Sequence, residues 1–249
     1  MKEFVIGDMH GGYRALVQCL ERSKFNYDKD RLICLGDVAD GWTETAECFE
    51  ELFKIKNLVY VRGNHDQFLK DWLKKGKTPD VWVLQGGQNT IKSYYKNPHL
   101  MKKHLAFLAK TPFYYHDESN RVFVHGGVSQ KQYELKDTDK MFLCWDRTIW
   151  DNRKDLPGFP YDEVYVGHTS IWRHSETPIN VGKVWYMDTG GGWEGKLSIM
   201  DINTKEVFQS DVVADLYPES AGRDLGLSPS ERLEIIKLSK KRWAKQQKT

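Results

Sequence analysis

Five short groups of polar residues in this chain carry side chains suited to metal ligation. They read Gly7-Asp8-Met9-His10-Gly11, Gly36-Asp37-Val38-Ala39-Asp40-Gly41, Arg62-Gly63-Asn64-His65-Asp66, His125-Gly126-Gly127 and Gly167-His168-Thr169. Each has a bland explanation when taken alone. A Gly-Asp-X-His run can be a helix cap beside a satisfied histidine, and an Asn-His-Asp run can be a turn. A lone histidine is more often packed or hydrogen-bonded than ligating. Their succession is harder to explain that way, because each group follows directly on a short apolar run that reads as a strand. Ligands of α/β sheets bind outside the carboxyl ends of the strands. Five strand ends would therefore deliver Asp, His, Asn and His side chains to one rim, with glycines letting the backbone turn sharply and metals approach closely.

Ligand chemistry narrows the metal. Two carboxylates, one amide oxygen and three imidazoles suit manganese, iron or zinc better than calcium, and no thiolate favours a closed structural zinc site. Six ligands exceed what one ion with open positions needs. Two ions about 3.5–4 Å apart, bridged by one carboxylate, would use them all, and such a pair activates a bridging water and clamps the oxygens of an in-line phosphoryl displacement.

The elements that must position these groups are visible in the apolar pattern. Strands are expected at 4–6, 31–35, 58–61, 121–124, 163–166, 184–187, 196–201 and 206–212. Helices are expected at 13–24 and at 43–53, the second with Thr43 as N-cap. This strand–loop–helix rhythm predicts an α/β fold. The segment 67–112 reads as a helical insertion broken by Gly76, Pro79, Gly86-Gly87 and Pro98. The close spacing of the last apolar segments predicts that part of the second sheet is antiparallel. Residues 217–229 are rich in Pro, Gly and Ser and read as a linker, followed by a helix from Ser230. That helix carries Lys240, Lys241, Arg242, Lys245 and Lys248 with no acid after Glu234.

Composition excludes several classes. The chain has 249 residues, a length that suits one large domain. Its 37 basic against 35 acidic residues leave a formal charge of +2, so no global field points to nucleic acid or membrane. The four cysteines, Cys19, Cys34, Cys48 and Cys144, form no C-x-x-C pair and read as buried free thiols. The apolar run near the N-terminus is too short for a signal peptide, and no run is long enough to span a membrane. A cytoplasmic location is the resulting expectation.

The order of the five motifs resembles the calcineurin-like metallophosphoesterases, in particular the bacterial and phage, lambda-type serine/threonine protein phosphatases. Cys144-Trp145-Asp146-Arg147 before the GHT motif and Tyr186-Met187-Asp188-Thr189-Gly190-Gly191 after it extend the resemblance, which spans roughly residues 2–203. It implies two packed mixed β-sheets flanked by helices, in αββα layering, over a metallophosphoesterase domain of residues 1–216. It further implies that Asp8 and His10 ligate a first metal, that Asp37 bridges, and that Asn64, His125 and His168 ligate a second. His65 matches the residue that protonates the leaving oxygen, oriented by Asp40, and Arg62 and Arg147 match arginines that clamp phosphate oxygens. The arginine fork suits that task, and a carboxylate beside an imidazole fixes its ring as a general acid requires. Trp82, Gln85-Gly86-Gly87, Thr90 and Tyr94 resemble a segment that borders the active site in bacterial relatives, although a plain interhelical loop would read the same way.

One departure is plain. The family motif continues G-D-x-x-D-R-G, whereas this chain reads Gly36-Asp37-Val38-Ala39-Asp40-Gly41-Trp42. A charge aimed at the substrate phosphate is missing at Gly41, and Trp42 either shapes a pocket or packs.

The expected reaction is metal-dependent hydrolysis of a phosphate ester by a bridging hydroxide, with two divalent ions, manganese first and iron or zinc next. The expected substrate is a phosphorylated protein. A dinucleoside polyphosphate hydrolase or a phosphodiesterase keeps the chemistry and changes the substrate. A nucleic-acid-binding protein using the basic tail is the alternative of another class, but such a module has no need of a full ligand set.

Overall fold

A computed structural model describes residues 1–128, 135–151 and 160–223, together with Glu234 and Lys237. Among the described residues ten strands form two five-stranded sheets. The first has the order β10-β9-β1-β2-β3, with β1 at Glu3–Ile6, β2 at Arg31–Cys34, β3 at Asn57–Tyr60, β9 at Lys196–Asp201 and β10 at Val207–Val212. The second has the order β4-β5-β6-β8-β7, with β4 at Tyr114–His116, β5 at Arg121–Val124, β6 at Glu163–Val166, β7 at Ile179–Val181 and β8 at Val184–Tyr186. In each sheet three consecutive neighbours run parallel: β1, β2 and β3 in the first, β5, β6 and β8 in the second.

The period of two along each strand assigns the layers. On β1, Phe4 and Ile6 face the helices while Val5 faces the other sheet. On β2, Leu32 and Cys34 face the helices while Ile33 faces inward. On β5 and β6, Phe123 and Tyr165 point between the sheets and Val122, Val124, Val164 and Val166 point away. The rings of Phe123 and Tyr165 stack at 4.8 Å. Three apolar layers result, one between the sheets and one outside each. Strands buried on both faces read as continuous apolar runs, which is the pattern of parallel strands.

The first helices are α1, Tyr13–Arg22, and α2, Thr45–Leu52. Ala15, Leu16, Cys19 and Leu20 form the buried face of α1. The expected Thr43 cap is not observed: Glu44 occupies the cap position of α2 without a side-chain cap bond. Next comes α3, Asn64–Lys75, which starts within the third motif and ends at Gly76 with φ 64°. The helical insertion continues through α4, Asp80–Trp82, a wide π turn at Val83–Gly87, α5, Gln88–Lys96, and α6, Met101–Leu108. After β5 come α7, Lys140–Trp145, and α8, Thr148–Asp151, and α9, Val213–Leu216, follows β10.

Antiparallel pairing is wider than expected. It occurs in the second sheet at β4/β5 and β7/β8, but β9 and β10 join the first sheet, β9 antiparallel to β1 and β10 antiparallel to β9. The short edge strand β7, Ile-Asn-Val, carries too little apolar pattern to be read from sequence. Residues 217–223 do not form a free linker. Tyr217 is completely buried and stacks on Trp42, with ring centroids 5.2 Å apart. The basic run of the tail, Lys240 to Lys248, lies outside the described residues. All four cysteines are free and buried, and no helix among the described residues is long and apolar enough to cross a membrane.

Candidate metal centre

The loops after β1, β2, β3, β5 and β6 open at the same end of the two sheets. Backbone conformation there is unusual. Of the seven described non-glycine residues with positive φ, four are His10 (46°), Asp37 (48°), Asp40 (73°) and His168 (63°). Left-handed conformations cost free energy for residues with a Cβ and persist where surrounding contacts over-determine them. Asp66, at the start of α3, supplies such contacts around Asp37. Its carboxylate accepts hydrogen bonds from the backbone of Asp37 (2.9 Å), Val38 (3.1 Å) and Gly63 (3.0 Å), stitching the second loop to the third. The loops touch so closely that a Cβ on Gly63 would lie 2.0 Å from Asp37 Oδ1.

The side chains gather around Asp37. His10, Asp37 and His65 each offer a ligand atom within 4.8 Å of the others, and so do Asp37, His125 and His168. Asp8 Oδ2 lies 3.9 Å from His10 Nε2, and Asn64 Oδ1 lies 3.0 Å from His125 Nε2. Asp37 therefore belongs to both groups. The imidazoles are oriented from behind: His10 Nδ1 faces the Ala39 carbonyl at 3.0 Å and His125 Nδ1 faces the Leu35 carbonyl at 2.8 Å. A proton on each Nδ1 directs the Nε2 lone pair into the basin, the usual outer support of a ligating histidine.

Three observations test whether these residues fit divalent cations. First, Asp8 Oδ1 and His168 Nε2 are buried with no hydrogen-bond partner, which is costly unless something else satisfies them. Second, the charges are stacked unfavourably. Burial and the neighbouring Asp188 push the Asp8 carboxyl well above the carboxylate range. Burial would lower His125, but Asp37 and Asp8 raise it to about 10, while burial, His125 and Arg147 hold His168 down at about 2. Such a cluster shares too few protons among too many acids and imidazoles, and cations would replace those protons. Third, the donors are the carboxylate, amide and imidazole mix that suits first-row transition metals. The residues fit.

Beside this basin lies a dyad. His65 Nδ1 is 2.6 Å from Asp40 Oδ2, and both residues are buried. The same oxygen accepts from Trp82 Nε1 at 2.7 Å, and the Asp40 backbone N–H donates to Thr90 Oγ1 at 2.8 Å. Burial raises the Asp40 carboxyl against the lowering effect of His65, Thr90 and Trp82. The insertion segment thus borders the site directly, through Trp82, Thr90 and Gly86, whose carbonyl accepts from the Gly41 N–H.

The two arginines named from sequence differ in placement. Arg147 is exposed at the rim, and its NH1 donates to the His168 carbonyl at 3.2 Å. The Arg62 guanidinium instead donates to Thr111 Oγ1 (2.9 Å), Gln67 Oε1 (3.0 Å) and the carbonyls of Thr111 and Leu108. It stacks on Phe113 and lines a cavity of about 1000 Å³ that includes none of the ligand candidates. Arg62 therefore does not join the cluster.

Sequence reasoning missed three participants, Asp66, Asp188 and Arg223. Asp66 and Asp188 stood inside quoted motifs without a role. Trp82 was named from the resemblance as bordering the site, and its bond to Asp40 bears that out. Arg223, whose guanidinium reaches the basin, stood in what read as a linker and had no signal.

These features define a two-sheet, metal-centred phosphoesterase, and the chain belongs to the calcineurin-like phosphoesterase family, which matches residues 1–195. It is a phosphoric ester hydrolase. It is 24% identical over 204 residues to serine/threonine-protein phosphatase 1 of Salmonella typhimurium, covering 80% of this chain and 91% of that one. It is 26% identical over 179 residues to a symmetrical bis(5'-nucleosyl)-tetraphosphatase of Pseudomonas syringae, covering 69% of this chain but only 56% of that protein. The fold is shared with the crystal structure of a candidate diadenosine tetraphosphatase, with a TM-score of 0.64, 16% identity, and coverage of 84% and 92%.

Proposed function

We propose that this enzyme is a serine/threonine protein phosphatase served by two divalent cations, manganese foremost and iron or zinc next. The observation that carries the reading is the convergence of five candidate ligands on Asp37, beside the His65–Asp40 pair. Asp8, His10 and Asp37 would hold one ion, and Asp37, Asn64, His125 and His168 the other. When bound, such a pair supplies a nucleophile at neutral pH and positive charge for the phosphate oxygens.

The chain's own groups do the rest. Asp40 holds the proton on His65 Nδ1, Trp82 fixes the carboxylate, and His65 protonates the leaving oxygen. Arg147, at the rim beside His168, binds a phosphate oxygen. The near-complete coverage of the Salmonella phosphatase supports a protein substrate. Four buried free thiols suit a cytoplasmic location. The second reading, hydrolysis of dinucleoside polyphosphates, draws on the Pseudomonas relative.

A substrate panel with added manganese tests the choice. Phosphoserine and phosphothreonine peptides should give higher kcat/KM than diadenosine tetraphosphate or a bis-aryl phosphate. The reverse order would select the second reading.

A further inference from the structure

Residues 213–223, which follow β10, form a strap that brings Arg223 to the basin. The Arg223 NH1 lies 3.2 Å from His10 Nε2 and its NH2 lies 3.2 Å from His65 Nε2. Its guanidinium stacks on Trp193 at 4.5 Å. Its Nε–H is buried and has no partner. Its charge acts on Asp37, Asp188, Asp40 and Asp8. A planar fork with an unused donor thus sits between a metal-ligand imidazole and the proposed general acid.

The surroundings are shaped to admit it. Gly41 has φ +95°, and a Cβ there would lie 3.1 Å from Arg223 Cγ. Gly86 approaches so closely that its Cβ would lie 2.3 Å from the Gly41 nitrogen. Asn89 Nδ2 donates to the Gly41 carbonyl (2.6 Å) and to the Gly222 carbonyl (3.3 Å), tying loop and strap together. Trp42 stacks on Tyr217, donates through Nε1 to the Gly191 carbonyl at 2.7 Å, and backs Gly222, where a Cβ would meet its ring at 2.9 Å. Arg14 lies over the other side of Tyr217, 4.4 Å from the ring centroid. The Gly41-Trp42 pair therefore does two things: it clears a channel for this side chain and anchors the segment that carries it.

We propose that Arg223 binds the substrate phosphate, delivered by the 213–223 strap instead of by a strand-end motif. A phosphate monoester oxygen accepts the N–H groups that otherwise rest on the two imidazoles, and it gives the orphan Nε–H a partner. That exchange frees His65 Nε2 for the leaving oxygen. The second negative charge of a monoester dianion, which a diester lacks, is the group the guanidinium reads. This assignment rests on the proposed phosphatase reaction, and it places the charge missing at Gly41 elsewhere in the chain.

The test is orthophosphate binding by calorimetry on the manganese-loaded full chain, with metal content and Tm measured in parallel. Arg223→Met should retain two ions per chain and bind orthophosphate roughly tenfold more weakly or worse, the scale of a lost charge-assisted hydrogen bond. KM for an aryl monoester should rise more than KM for an aryl diester. Arg223→Lys keeps the charge without the fork and should recover part of the affinity. An unchanged orthophosphate Kd in Arg223→Met overturns the proposal. So does tighter metal binding with unchanged phosphate affinity, which would make the arginine a plug of the empty basin. Loss of ions from both variants would make it a brace for His10 and also overturn it. If the wild-type chain binds ions and orthophosphate yet hydrolyses no ester, the proposed reaction fails while the arginine keeps its assignment.

Discussion

Arg62 stands one residue before the Gly63-Asn64-His65-Asp66 loop, where resemblance assigns it to phosphate, whereas Arg223 stands in no motif at all. In the folded chain their fates are reversed. Arg62 is bonded to Thr111, Gln67 and Leu108 around the end of α6, while Arg223 lies on His10 and His65 with an unused donor. The difference lies in what each side chain meets. Carbonyls exposed at a helix end attract a guanidinium as readily as a phosphate does. Arg223 meets two imidazole nitrogens and lies in the field of four buried acids, a setting that holds it in place without using up its hydrogen bonds. Proximity to a motif fixes where the backbone is, and the local supply of acceptors decides where a long side chain goes.

The same contrast separates the basin from the strap. Strand order and left-handed loops impose the basin, so changes there should have the largest effects. Asp37→Asn is expected to cost about 10³-fold or more in aryl phosphatase activity, because several kcal/mol of charge stabilisation pass through one carboxylate that belongs to both ligand groups. Metal analysis should show fewer than two ions per chain, a larger loss than for any other ligand change. Full occupancy with full activity would show that Asp37 is not shared.

His65→Asn comes next. It should keep both ions and lose roughly 10²–10⁴-fold on an alkyl phosphate, the range for general acid catalysis. The loss should shrink for an aryl phosphate whose leaving group needs no proton. Equal losses on both would assign His65 to the metals instead of to the leaving oxygen. That outcome has a structural basis, since His65 lies within ligand distance of His10 and Asp37.

The strap should respond more mildly and in a different way. Tyr217→Ala removes a fully buried ring that stacks on Trp42 and lies under Arg14. A cavity of that size costs about 3 kcal/mol or more. Thermal unfolding should register it, and orthophosphate affinity should fall alongside, as in Arg223→Met. Lost stability with unchanged phosphate affinity would mean that the strap does not position Arg223.

The contrast also explains what was legible in the sequence. The parallel strands were visible because Val5, Ile33 and Val61 alternate with residues facing the helices, and because each run ends in a glycine-flanked polar group. Asp8, His10, Asp37, Asn64, His125 and His168 stand in short motifs, so parallel order alone brings them together. Strand β7 was not visible, since three residues at a sheet edge carry no period. The pairing of β9 with β1 was not visible either, because proximity in sequence favoured the second sheet. Residues 217–223 read as a linker on composition: Pro218, Ser220 and Gly222 are turn residues. Nothing local says that Tyr217 has a pocket waiting between Trp42 and Arg14, or that Gly41 lies against Arg223 and Gly222 against the Trp42 ring.

The smallest effect on catalysis is expected at Arg62, and it is the change that most directly breaks the comparison. Arg62→Met keeps much of the apolar volume beside Phe113 and removes the guanidinium. The Thr111 carbonyl and Thr111 Oγ1 lose the guanidinium as donor, while the Leu108 carbonyl keeps the Thr111 hydroxyl at 3.0 Å; buried acceptors left without a donor cost about 1–3 kcal/mol each before water enters. The adjoining cavity admits water to some of them, so the net destabilisation should be about 1–3 kcal/mol in denaturant unfolding. On the chemistry, kcat/KM for an aryl monoester should stay within about threefold of wild type, because none of the observed Arg62 bonds reaches a ligand or the His65–Asp40 pair. Orthophosphate affinity should also hold, in contrast to Arg223→Met. If instead KM rises tenfold while stability is unchanged, the guanidinium must leave the α6 carbonyls when phosphate binds. Arg62 and Arg223 would then be alike in function and different only in where they wait. A double variant decides between the two cases. Independent sites give additive losses in phosphate binding, whereas two arginines on one phosphate give a coupling energy outside the roughly 0.5 kcal/mol expected of separate positions.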